Sequence, residues 1–222
     1  MSEHAALPDF PATPHTTARR DDRGSFDRAE AYAILDEGLV AHVGFVLDDR
    51  PFVIPMVYGR DGDRLLLHGS VATRLARALA AGAPVCVEVT LVDALVVARS
   101  QFHHSINYRS VVIVGEARRT TDEADVARAF EAIVDHVIPG RTAEARPANR
   151  IETRQTSVIV VPIETASVKV RTGPPVDDEE DIAAGGWAGV LPLDVVAGAP
   201  VPDADAGHTP VPPSIAGYRR GG

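Results

Sequence analysis

The stretch that decides the fold is Leu39–Leu79, "LVAHVGFVLDDRPFVIPMVYGRDGDRLLLHGSVATRLARAL". It contains three apolar runs separated by "DDRP" and "RDGD". Both separators are turn sequences, because Asp and Gly tolerate tight backbone reversals and Pro cannot continue a strand ladder. The runs read as an antiparallel meander, Val40–Leu47, Pro51–Tyr58 and Arg64–His68. Pro55 brings no N–H to the second run, so that strand is locally irregular or lies at an edge. The third run opens into "SVATRLARALAAG", where Val71, Leu75, Leu79 and the alanines share one helical face and Gly82 is the stop.

The flanks follow the same logic. Upstream, "SFDRAEAYAILDEG" places Phe26, Ala29, Ala31, Ile34 and Leu35 at helical spacing, with Ser25 as N-cap and Gly38 as terminator. Downstream, "PVCVEVTLVDALVVARS" predicts one long or broken strand and "RSVVIVGEARRT" another. "TTDEADVARAFEAIVDHVIPG" is an amphipathic helix with Thr120 and Glu123 at capping-box spacing. "TSVIVVPIETASVKVRTG" is a last strand pair or a bent strand. Short valine-rich strands joined by tight turns favour a mainly β fold with flanking α, a small antiparallel barrel plugged by helices, over alternating βαβ units. Residues 1–24 are polar and proline-bearing and read as a flexible arm. Residues 25–173 form the barrel domain. From about Pro174 the chain turns rich in Pro, Gly, Ala and Asp and reads as an irregular extension. Its apolar island "GGWAGVLPLDVV" packs back on the barrel or on a partner.

Composition narrows the function. The chain has 222 residues, 45% hydrophobic and 24% charged, enough for a folded core without staples. A net charge of -9 disfavours a general nucleic-acid or anionic-membrane role but leaves room for a small anion in a local basic pocket. No apolar run reaches the ~20 residues of a membrane helix, and the N-terminus has no apolar signal core. Cytoplasm is the simplest location. The single cysteine, Cys86, rules out an intramolecular disulfide and a thiolate cluster, and reads as a small buried strand residue.

Three chemistries compete. In "LHGSVATRLARAL", Gly69 lets a ligand approach the backbone, Ser70 and Thr73 offer hydroxyls, and Arg74 offers a fork suited to phosphate. The competing reading is a capping serine followed by a solvated arginine, and spacing alone does not separate the two. A metal site is disfavoured. His103 and His104 are adjacent and so point to opposite faces of an extended strand, and His42, His68 and His136 show no ligand spacing. Haem needs only one axial histidine and stays open. "HGSVA" lacks the second glycine of a nucleophile elbow, and no other serine is placed as a nucleophile. "DDEED", residues 177–181, reads as a solvated run.

With "AHVGFVLDDRPFVIPMVYGRDGDRLLLHGSVATRLARAL", "ARSQFHHSINYRSVVIVGEAR", "VDHVIPGR" and "SVKVRTGPPVDDEED…WAGVLPL", the chain resembles the pyridoxamine 5′-phosphate oxidase-like FMN-binding split barrels. It is nearest their nitroimidazole-resistance-like branch. The resemblance covers roughly residues 25 to 193. It implies a six-stranded antiparallel split barrel that forms a homodimer with two FMN sites at the subunit interface. Val53, Ile54, Pro55 and Met56 would run along the flavin pyrimidine edge, with Tyr58 following them. His68, Gly69, Ser70, Thr73 and Arg74 would hold the ribityl phosphate. Arg99, Ser100, Asn107, Tyr108, Arg109 and Ser110 would approach the flavin, commonly from the other subunit, and Trp187 would cover the pocket. His68 is the functional histidine the resemblance singles out, with Arg99, Arg109 or His104 as further polar groups near the flavin. True pyridoxamine-phosphate oxidases carry a lysine where Tyr58 stands and an arginine-bearing motif around the tail tryptophan, where this chain reads "GGWAGVLPL". The implied function is an FMN-dependent oxidoreductase acting on a small organic molecule other than pyridoxamine phosphate. FAD, deazaflavin and haem are the alternative cofactors, and a non-enzymatic flavin carrier is the alternative role.

Overall fold

Alternation of buried and exposed residues builds the sheet. In a computed structural model, which describes residues 8–17, 21–79 and 82–219, β2 (Val40–Leu47) buries Ala41, Val43 and Phe45 and turns the residues between them outward. It pairs antiparallel with β3 (Arg50–Asp61), from Val40↔Val57 to Leu47↔Arg50. The loop between them is two residues long, and both Asp48 (φ 51°) and Asp49 (φ 58°) are left-handed, as the tightest hairpin turn requires. β3 pairs with β4 (Arg64–Ser70) only over Tyr58–Asp61, across a second two-residue loop in which Gly62 has φ 58°. The Arg50–Val57 half of β3 thus has a strand on one side only, and Pro55 sits in it as an edge proline.

The remaining strands are β1 (Gly24–Ser25), β5 (Ala83–Val97), β6 (Ser105–Thr120), β7 (Thr156–Pro162), β8 (Ala166–Arg171) and β9 (Gly189–Pro192). Their order is β1-β8-β6-β7-β4-β3-β2-β5-β9, and an additional β6–β5 pairing closes six of them into a ring, the split barrel expected from the sequence. The helices are α1 (Arg28–Glu37), α2 (Arg74–Leu79), α3 (Glu123–Val137), α4 (Arg150–Gln155), α5 (Glu179–Ala184) and α6 (Pro213–Ala216).

The chain divides into two units, and β5 and β6 run through both. The first contains the described residues up to Gly38, Val89–Val112 and Thr165–Val195. Its core is built from α1 and β8, with Ala31, Ile34, Leu35, Ala166 and Val168 all at most 1% exposed. The second contains Leu39–Glu88, Ile113–Glu164 and the described residues from Val196 onward. Tyr58, Leu65, Leu67, Val87, Ile159 and Val161 fill its strand layer, and α3 packs Val126, Ala129 and Ile133 over Leu66 and Val158. α3 lies so close to β3 that a Cβ on Gly59 would stand 2.7 Å from the Ala132 carbonyl. Only glycine permits that approach.

Several local expectations change. α1 is capped by Asp27, whose carboxylate accepts from the Glu30 N–H at 2.8 Å, and Ser25 supports the cap by accepting from the Asp27 N–H. α3 is capped by Asp122 and not by Thr120, because the Asp122 carboxylate reaches the Asp125 N–H at 2.9 Å. α4 escaped the sequence reading although Asn149 and Glu152 make a full capping box. Residues 8–17 are docked rather than free: Phe10 is 3% exposed, edge-on to Tyr32, with the Arg28 guanidinium 4.0 Å from its ring centroid. Residues 21–24 of the expected arm are likewise ordered, a short 3-10 turn (Asp21–Arg23) leading into β1, and residues 1–7 and 18–20 lie outside the described residues. Cys86 is exposed, not buried, since Val85, Val87 and Val89 occupy the inward parity of β5. The apolar island of the extension is partly regular: β9 pairs with the end of β5 from Ala94↔Pro192 to Val97↔Gly189.

Candidate functional site

The sequence-derived site residues fall into two groups, one in each unit. In the second unit, Val53–Met56 lie on the half of β3 that, among the described residues, has no strand on its far side. Backbone N–H and C=O groups on such an edge are left to bond something other than a strand. Val53 is 66% exposed, and Pro55 is exposed beside it. Tyr58 is a correction. It is fully buried with its ring 4.5 Å from that of His136, so its side chain belongs to the core and cannot line a pocket.

His68 stands near the end of β4 on the outward parity, its ring 6.2 Å from that of Phe130 on α3. Desolvation lowers its pKa, which keeps the imidazole neutral at physiological pH with a lone pair available. Phe130 also lines a cleft of about 880 Å³ between α3 and residues 142–154, whose charged lining is balanced, Arg146, Arg150 and Arg154 against Glu123, Glu131 and Glu152. Gly69 follows His68. A Cβ there would meet only Thr73 Oγ1, at 3.9 Å, so crowding within the chain does not explain the glycine and its bare backbone leaves room for a ligand. Ser70 Oγ accepts from the Ala72 N–H at 3.3 Å and Thr73 Oγ1 from the Ala76 N–H at 3.1 Å. Each hydroxyl thus caps the turn with a lone pair, and its own proton can still be donated. Capping and ligand binding, which the sequence posed as rivals, are compatible. The Arg74 side chain lies outside the described part of the structure. Ser157, directly across the ladder from Gly69, buries its Oγ with no hydrogen-bond partner among the described residues.

In the first unit the cationic candidates are largely committed. Arg109 donates to Glu37 at 2.5 and 2.9 Å and to Asp93 at 2.8 to 3.2 Å. The hydrogen bonds it donates to Glu37 and then Asp93 raise its pKa further. Its charge is balanced by these two carboxylates while 32% of the side chain stays exposed. Arg99 is held by Asp177 through both its backbone N–H (2.9 Å) and its guanidinium (2.8 Å). The Asp177 side chain is 1% exposed, so the acidic run is not wholly solvated. Ser110 is buried and donates to the Lys169 carbonyl at 3.3 Å. Asn107 is buried and joins Arg171: its amide donates to the Gly173 carbonyl at 3.1 Å and its oxygen accepts from the guanidinium. Tyr108 lies 5.9 Å from the Lys169 ammonium.

Ser100 buries its Oγ without a partner among the described residues. His103 pairs with Asp178 at 3.3 Å, and His104 Nδ1 meets the Ser100 carbonyl at 2.8 Å. Trp187 is 70% exposed and lies over Gly189, where a Cβ would be 3.0 Å from the indole. Arg171, Ser157 and Phe130 were not singled out from the sequence. Arg171 carried one readable signal, an arginine at the outward parity of "SVKVR".

A family model described as pyridoxamine 5′-phosphate oxidase matches residues 27–170. The chain belongs to this family. Among solved structures of similar fold, the FAD and heme binding protein from Mycobacterium smegmatis is 42% identical, with a TM-score of 0.85, covering 89% of this chain and 98% of its own. The flavocytochrome Anf3 from Azotobacter vinelandii is 40% identical, with a TM-score of 0.88, covering 96% of this chain and 100% of its own. A putative 5-nitroimidazole antibiotic resistance protein from Bacteroides thetaiotaomicron, 23% identical with a TM-score of 0.53, covers 65% of this chain and 84% of its own and shares the fold. No protein of curated function matches. Family membership fixes the barrel and not the reaction, since one fold hosts many chemistries.

Proposed function

We propose that this protein is a flavin- and haem-binding oxidoreductase whose flavin is FAD. The observation that carries this reading is the likeness, at 40 to 42% identity over 89 to 96% of the chain, to a protein that binds FAD and haem and to a flavocytochrome. The chain's own residues fit both groups. For the flavin, the one-sided half of β3 supplies backbone hydrogen-bond groups, and Gly69, Ser70 and Thr73 supply open backbone and two donor hydroxyls. For haem, His68 supplies an imidazole whose pKa is lowered, the neutral form that ligates iron, and its neighbour Phe130 lines a cleft in which Arg150 and Arg154 could meet carboxylates, while Arg146 is already paired with Glu152.

When bound, a flavin exchanges electrons with a small organic molecule and a haem passes them on singly. The protein's part is to orient both, exclude water, and hold the His68 imidazole neutral. FMN and deazaflavin are the alternative outcomes of the test. The homodimer is part of the same proposal. The outward faces of β2 and β3 expose Val40, Val46, Val53 and Val57 at 40 to 66%, with Pro55 among them, an apolar surface of the kind a second copy covers.

Absorption spectra and mass spectrometry of the purified protein test the assignment. Flavin bands plus a Soret band are expected, with FAD released on denaturation. His68→Ala is expected to lose the Soret band and retain the flavin. Colourless protein that takes up neither FAD nor hemin overturns the reading. Light scattering that reports a monomer overturns the dimer.

A further inference from the structure

Arg171 ends β8 in the first unit and is 8% exposed, yet it is not a core residue. Val168 and Ala166 hold the inward parity, so Arg171 shares the outward face with the exposed Lys169 and is covered there by Asn107 and the Gly173–Pro174 turn. Its Nη1 donates to Asn107 Oδ1 and, at 3.5 Å, to the Gly173 carbonyl, and its Nη2 donates to the Pro174 carbonyl at 3.4 Å. All three acceptors are neutral, and two of the contacts are long. Among the described residues no carboxylate lies within ion-pair distance. The Nε–Nη2 edge, which grips an oxyanion with two parallel N–H groups, carries only the Pro174 contact.

The surroundings add positive charge. Burial lowers the Arg171 pKa, and the nearby Arg23 lowers it further against a smaller opposing effect of Tyr108. Among the described residues Arg23 has a stretched pair to Asp22, at 4.0 Å. Lys169 stands two residues along the same face and reaches toward Tyr108. The Gly24↔Lys169 pairing sets Arg23 beside the end of β8, so Arg23 and Lys169 bring two further cations to the strand that carries the covered Arg171, out of keeping with a chain of net charge -9. Unpaired buried charge is tolerated when a ligand neutralises it.

We propose that Arg171, Arg23 and Lys169 form a receptor for one phosphate group. A doubly charged tetrahedral anion matches both the excess charge and the unspent fork. The phosphate belongs either to the flavin dinucleotide, in which case the site deepens the proposed function, or to a free phosphorylated small molecule, in which case it stands apart from it.

Thermal melting in inorganic phosphate against chloride at equal ionic strength decides the matter, using the protein as purified and after removal of any bound flavin. Phosphate is expected to raise the melting temperature of at least one form. The apparent Kd for phosphate is expected to weaken at least tenfold in Arg171→Met and in Arg23→Gln. Arg23→Gln is also expected to melt above wild type in chloride, because it removes repulsion, and a purely structural arginine would not show that. A response confined to the stripped protein assigns the site to the flavin's phosphate, and a response in both forms assigns it to a free one. A phosphate response in protein that neither carries nor binds flavin sinks the flavin reading and leaves the anion site standing. If Arg171→Met does not fold, Arg23→Gln and Lys169→Gln carry the test. The proposal is overturned if neither form distinguishes phosphate from chloride, if the variants respond as wild type does, or if Arg23→Gln melts lower in chloride.

Discussion

Arg109 and Arg171 belong to the same unit and differ in everything that surrounds them. Arg109 sits among Glu37 and Asp93, makes five hydrogen bonds to carboxylates, and keeps 32% of its side chain exposed. Arg171 is better covered, meets only neutral oxygens, and has a like charge nearby. The residue type alone would give both the same role. Counter-charges separate them: Arg109 is a lock between α1, β5 and β6, and Arg171 is a cation still in need of an anion.

Substitutions can break that contrast. Arg109→Met strands two carboxylates in a partly covered site and is expected to lower unfolding free energy by about 2 kcal/mol, between the exposed and buried limits for broken ion pairs. Adding Glu37→Gln should recover part of that loss in denaturant melts. Arg171→Met, in chloride, removes a charge that no carboxylate among the described residues neutralises and is expected to stay within about 1 kcal/mol of wild type. Equal losses in the two variants would erase the distinction.

The pH dependence sharpens it with groups whose shifts have a clear cause. The His68 pKa is lowered by burial, so the folded state binds this proton less readily than the unfolded chain. The site therefore costs no stability above the unfolded pKa of about 6.5, and stability falls as pH drops through that value toward the folded pKa. His68→Gln should flatten the melting temperature over that acidic window. Glu152 shows the opposite sign. The Arg146 guanidinium, and then the Asn149 N–H, hold its carboxyl down to about 2. Its contribution is complete above the unfolded value and disappears as pH falls through about 2, so Glu152→Gln should weaken α4 near neutral pH and leave a shallower acid limb. This last effect is the smallest because the pair is solvent-exposed.

The barrel was legible because its signals are local. Period-two burial and turn residues set β2 to the residue and the starts of β3 and β4 to within one, though β3 runs three residues and β4 two beyond the expected ends, and the Pro55 edge followed from one missing N–H. The caps moved by two residues because Asp27 and Asp122 compete with the hydroxyls of Ser25 and Thr120, and only geometry says which oxygen reaches the free N–H. The site was legible in part. Gly69, Ser70 and Thr73 stand out by residue type, whereas the burial of Tyr58 and the ion pairing of Arg109 show only once distant residues such as His136 and Glu37 are brought beside them. Arg171 was overlooked for the converse reason, since what marks it is a carboxylate that does not arrive.

The pairing of β9 with the end of β5 gives the C-terminal extension a second meaning. A strand edge ending in Leu95, Val96 and Val97 is a template for any extended peptide, and here the chain supplies that peptide itself, at the high effective concentration of a tether. A chain cut after Gly185 would present that edge to its neighbours. It should then self-associate, and a synthetic peptide spanning Trp187–Leu193, added in excess, should restore dispersed protein, making the tail a built-in competitive inhibitor of aggregation.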